Sequence, residues 1–146
     1  MDEKHQRVSF KIVVKKVEKP FSDDPFDELE WICQSLGFFE PIDRDKTAAA
    51  VLKQLINSGG LERPLTSTQI AERVEMSRGA VINHLNNLSR AGLVVRSGRY
   101  YSIRSRSIYR TIEEIEEDID RIFQKMKRVA MELDGEMGVK PKDAKE

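Results

Sequence analysis

Between Met76 and Ile112 the chain has no aspartate, no glutamate and no lysine, yet it holds seven arginines. At ordinary composition, about a quarter charged, a window of that length should contain several acids. Their absence rules out a local surface that repels polyanions and makes an anion-binding face the leading reading. The flanks differ. Residues 1–75 carry 11 basic and 14 acidic side chains, and residues 113–146 carry 7 and 11, with Glu113, Glu114, Glu116, Glu117, Asp118 and Asp120 crowded at the start. A net charge of zero hides this segregation.

Cysteine is nearly absent too. Cys33 stands alone, which excludes an intrachain disulfide framework and points to an intracellular chain. With His5 and His84 it makes no metal-ligand spacing, so no metal is expected. No apolar run approaches the roughly 18 residues of a membrane span. The opening "MDEKHQRVSFKIVVKK" lacks the apolar core of a signal peptide, so a cytoplasmic place without a membrane partner is expected. A Gly-rich phosphate loop, a nucleophile motif and a paired-carboxylate signature are all missing, so neither an enzyme nor a cofactor is expected.

What is present is a globular composition, 39% hydrophobic and 34% charged, in 146 residues. That is one domain of ordinary size with room for an accessory arm. Val8 to Val17 alternates apolar and polar side chains, the pattern of a half-buried strand stopped before Pro20. Asp24 can cap a helix with Pro25 in its first position, and Phe26, Leu29, Ile32, Cys33 and Leu36 share one face, with Cys33 read as core. Asp43 can cap a second helix bearing Ala48, Val51, Leu52, Leu55 and Ile56 at helical spacing, ended by "NSGG". Thr66-x-x-Gln69 is a capping box, so a third helix starts at Ser67, with Ile70, Ala71 and Val74 facing inward. Ser77 caps a fourth, which runs to about Ala91 and stops at Gly92. "LVVRSGRYYSI" reads as a β-hairpin turning near Ser97-Gly98, with one of Tyr100 and Tyr101 inward and the other outward. A long helix begins near Ile108, and a frayed tail follows Asp134.

Helix, helix, turn, helix, hairpin is the order of a winged helix-turn-helix. The run "SRGAVINHLNNLSRAGLVVRSGRYYSI" resembles the prokaryotic ArsR-like winged helix-turn-helix family of transcription regulators. The family's capping Ser, V-x-x-H-L-x-x-L, A-G-L-V and Gly-containing wing stand here as Ser77, Val81, His84-Leu85, Leu88, Ala91-Gly92-Leu93-Val94, Gly98 and Tyr100-Tyr101. The resemblance covers roughly residues 43 to 106. It implies a mostly α fold with a small β-hairpin wing; outside it, sequence pattern adds a strand-and-helix extension at 1–42, a dimerisation helix at 107–134 and a flexible tail at 135–146.

The resemblance also implies a mode of action. The helix Ser77–Ala91 would enter the major groove of double-stranded DNA, with the wing over residues 94–103 on the backbone or minor groove. Its outer face carries Arg78, Gly79, Ala80, Ile82, Asn83 and Asn86, the expected base-reading set. Gly79 and Ala80 permit close approach, and the asparagine amides match adenine N6 and N7. Ile82 fits either a thymine methyl or a neighbouring helix. Thr66, Thr68, Ser77, His84, Asn87, Arg90, Arg96, Arg99, Arg104 and Arg106 are the expected backbone and wing contacts. His84 has a helix-packing reading beside this one. The family's metal sensors carry Cys-x-Cys on the preceding helix, and "TSTQIAERVEM" has none.

One signal lies outside the resemblance. Ile108, Ile112, Ile115, Ile119, Ile122, Met126, Val129 and Leu133 are spaced 4-3-4-3-4-3-4, an unbroken heptad seam. Its partner is either the same helix of a second copy or the body of its own chain. Charge favours an antiparallel pair, in which Asp118 of one copy approaches Lys125 of the other. The expectation is a homodimeric DNA-binding transcription regulator. The alternative is a winged-helix module that binds a protein of the transcription or replication apparatus.

Overall fold

The computed structural model describes residues 12–37 and 47–139. The described residues up to Ile112 form one compact unit and those from Glu113 another.

In the first unit, helix α1 (Pro25–Ser35) begins as its sequence dictates. Asp24 caps it by accepting from the Phe26 amide, and Pro25 sits where an amide would have no partner. Leu29 and Cys33 are its buried residues. Helix α2 (Thr47–Ser58) is the centre of the core, packed against α1, α3 (Ser67–Val74), α4 (Arg78–Arg90) and strand β3 (Tyr100–Ile103). Its Val51, Leu52 and Leu55 are fully buried, as are Ile70 of α3 and Val81, Leu85 and Leu88 of α4. Each such side chain contributes about 1.5–3 kcal/mol relative to exposure. Asp43, the expected cap of α2, lies outside the described residues.

A 3₁₀ turn, Gly60–Glu62, leads out of α2. Gly60 has φ +73, and a Cβ there would stand 2.8 Å from the Arg106 carbonyl oxygen, so only glycine lets these backbones approach. Strand β1 (Leu65–Thr66) then pairs antiparallel with β3, whose other edge takes β2 (Val94–Ser97). The sheet order β1-β3-β2 makes β3 central, and Tyr101, Ser102 and Ile103 are buried. Ser97 pairs with Tyr100, leaving Gly98 and Arg99 as a two-residue loop with Gly98 at φ +62.

Two expectations need correction. Ile12 to Val17 forms no strand: the segment is irregular, Val14 is 64% exposed, and Val8 to Lys11 lie outside the described residues. Alternation needs a neighbouring strand to become a ladder. Here the segment is tied to α1 instead, through the Lys15 amide to the Ser35 carbonyl (2.7 Å) and the Trp31 indole to the Val17 carbonyl (2.8 Å). Second, the last helix, α5 (Ile108–Glu136), passes through Gly135, and the turn that follows it holds Gly138 at φ +80. There the Val139 amide donates back to the Asp134 carbonyl at 2.8 Å. A glycine with ordinary φ weakens a helix without stopping it.

Candidate nucleic-acid interface

The turn between α3 and α4 sets the geometry. Thr66 and Gln69 close the expected capping box: the Gln69 amide donates to Thr66 Oγ1 (3.1 Å) and the Thr66 amide to Gln69 Oε1 (2.9 Å). Glu75 ends α3 in the left-handed region, φ 58, and two residues later Ser77 caps α4 by accepting from the Ala80 amide at 3.1 Å. Leu85, Val81 and Leu88 face the core, which turns the opposite side of α4 to solvent. On that side Arg78, Gly79, Asn83 and Asn86 are exposed, with no acid among them. Ala80 and Ile82 are half-buried at its margin.

Gly79 is informative because the fold does not require it. A Cβ there would meet nothing within 4 Å, and its φ is ordinary. The helix would be firmer with alanine at this position. The open space in front of it is what a close ligand would use.

Several residues have structural partners. Arg78 Nε donates to Ser67 Oγ at 3.1 Å, bridging the starts of α4 and α3. His84 Nε2 lies 2.8 Å from Thr47 Oγ1, which joins α4 to the start of α2 and favours its helix-packing reading. Arg90 Nη1 donates to Asn87 Oδ1 at 2.7 Å on the exposed surface. In the wing, Arg96 Nε donates to the Gly98 carbonyl (2.7 Å) with its guanidinium 5.5 Å from the Tyr101 ring centre. Arg99 stands 5.8 Å from the ring centre of Tyr100. A ring beneath each guanidinium restrains it while leaving its charge outward. Tyr101 is buried and Tyr100 43% exposed, as the hairpin alternation requires.

The start of α3, the start of α4 and the wing tip enclose a groove of about 500 Å³. Thr66, Thr68, Arg78 and Arg99 line it, all expected from sequence. Ser67, Gln69 and Glu72 line it too, and sequence reasoning assigned them no ligand. Their signal was the capping box itself: a box that orients a helix start also presents that start's side chains. Arg106 is exposed and Arg104 half-buried, both after β3 and beyond this groove's lining. Among the described residues, no group of three or more His, Cys, Asp or Glu is placed to hold a metal ion. Nor is any helix among them long and apolar enough to cross a membrane.

A three-helix unit with its third helix exposed beside a two-stranded wing defines the winged helix-turn-helix class. Residues 45–95, from just before α2 into β2, match the family model described as bacterial regulatory protein, arsR family. Over that segment the chain is similar to the arsR-family regulators, and its fold is a winged helix-turn-helix. No curated protein and no solved structure matches the chain.

Proposed function

We propose that the chain regulates transcription by binding double-stranded DNA sequence-specifically as a homodimer, without catalysis. The observation that carries this reading is the exposed, acid-free face of α4, Gly79 with Asn83 and Asn86, beside the wing arginines Arg96 and Arg99. A polyanion with readable base edges is the ligand that uses both halves of that surface.

α4 enters the major groove with Gly79 nearest the bases, and Asn83 and Asn86 read adenine. The wing, Val94–Ile103, lies on the backbone or in the minor groove. Arg78 moves from the base-reading set to the phosphate-facing one, because its bond to Ser67 turns it toward the groove shared with Thr66, Thr68 and Arg99. Ser77 serves the helix first, as a cap. The seam of α5 supplies the second copy.

Selection of binding sites from random duplexes with the full chain tests this. The expected consensus is an inverted repeat with A/T-containing half-sites whose centres lie about 10 base pairs apart, or a multiple of that. An asymmetric consensus removes the symmetric dimer, and no enrichment removes base reading.

A further inference from the structure

The seam of α5 is not uniform. In the single chain Ile115 is 2% exposed and Ile119 half-buried, but Ile122, Met126, Val129 and Leu133 are 46%, 49%, 53% and 47% exposed. The apolar heptad ends there, because Glu136 holds the next seam position. We propose that these four residues dock the α5 of a second copy running antiparallel, Ile122 against Leu133 and Met126 against Val129. The occupant rests on the homodimer reading, and the direction and register go beyond it.

Closure of the apolar face favours this register. In an antiparallel pair the two kinds of seam position, a and d, meet each other across the interface. Met126 and Leu133 are of one kind, Ile122 and Val129 of the other. Centring the pair between Lys127 and Arg128 matches all four exposed residues among themselves. Sliding by half a heptad toward the N-terminus pairs Leu133 with Ile115 and Val129 with Ile119, so the four no longer match among themselves.

Charge favours the same direction. Lys125 and Glu132 flank the seam on the same side. The antiparallel register brings Lys125 of each copy beside Glu132 of the other, at both ends of the pair; it replaces the Asp118–Lys125 pairing expected from sequence, which would set Ile115 against Met126. A parallel pair sets Lys125 beside Ala130 and Glu132 beside Met137, with no ion pair.

Shape on the other flank agrees. Phe123 is 53% exposed. Antiparallel pairing lays it over Ala130 of the second copy, where a small residue leaves room for the ring, whereas parallel pairing sets it against Asp118.

Cross-linking of the full chain reads the direction directly, with sedimentation as the companion measurement. An equal mixture of Lys125→Cys and Glu132→Cys chains should form a mixed disulfide, with far less product from either alone. Ile122→Cys alone should not cross-link to itself, because the two copies of that residue stand about 16 Å apart along the antiparallel axis at 1.5 Å per residue. Val129→Asp, at an exposed position, should sediment as a monomer with its helix content intact. Efficient Ile122→Cys self-cross-linking overturns the direction while leaving the homodimer standing. A dimer that survives Val129→Asp overturns the docking face. If the unmutated chain is monomeric in solution, the docking proposal and the homodimer both fall, while DNA binding by the arsR-like domain stands.

Discussion

Helix α4 and the later half of helix α5 both leave a face of the single chain uncovered, and the two faces are chemically opposite. On α4 it is glycine, amide and arginine; on α5 it is isoleucine, methionine, valine and leucine between charged flanks. An apolar stripe costs free energy in water until another apolar surface covers it, so its natural occupant is a like helix. A polar face without acid costs nothing in water, and under the proposed function its composition suits a polyanion. The charge segregation follows the same division: arginine without acid along α4 and the wing, both signs along α5.

The largest effect should separate the two halves of the α5 seam. Ile115→Asp places a charge at a buried site and should cost several kcal/mol of stability, read by urea unfolding. Ile122→Asp, at an exposed site, should leave the unfolding of the single chain nearly unchanged and abolish the dimer. Its affinity for a duplex with two half-sites should fall on the order of a hundredfold or more, as linkage of the two copies is lost. Equal losses of stability in both variants would mean that the seam is one packed stripe.

Next in size is the wing. Replacing Arg96 and Arg99 by alanine should weaken binding to all duplexes about equally. It should flatten the slope of log affinity against log salt by about 0.9 for each phosphate that the wing no longer neutralises. An unchanged slope would take the wing off the backbone. On α4, Asn83→Ala should instead cost about 1–3 kcal/mol on the selected site and little on random DNA. Equal weakening on both would take Asn83 out of base reading.

These contrasts were legible in sequence to different depths. Helices α1 to α4 and the wing announce themselves through local chemistry: Asp24-Pro25, the Thr66–Gln69 box, Ser77 and Gly98 each act within a few residues of themselves. Strand β1 does not, because two residues, Leu65 and Thr66, are a strand only by virtue of the far edge of β3. The arm Ile12–Val17 failed in the opposite sense, having a strand's alternation but no ladder to join. The Arg78–Ser67 and His84–Thr47 bonds join residues 11 and 37 positions apart, so no local pattern could carry them. The heptad spacing of α5 was plain, yet spacing alone is blind to which of its turns are buried in the single chain.

The smallest predicted effect bears most directly on what the α4 face is for, because its two parts have opposite sign. Gly79→Ala adds a methyl to an exposed helical position where nothing lies within 4 Å. In the free chain that should raise stability by a few tenths to about 1 kcal/mol, since alanine loses less backbone freedom than glycine on folding. On DNA the same methyl stands where α4 comes closest to the base edges, so affinity should fall even as the melting temperature rises. Gly135→Ala in α5 supplies the control. It too lies in a helix with ordinary φ and open space around it, so it should stabilise without changing DNA affinity. Thermal unfolding and gel-shift titration of the two variants side by side make the measurement. If both variants gain stability and neither loses affinity, the first turn of α4 does not approach the bases, and base reading would have to come from the turns bearing Asn83 and Asn86.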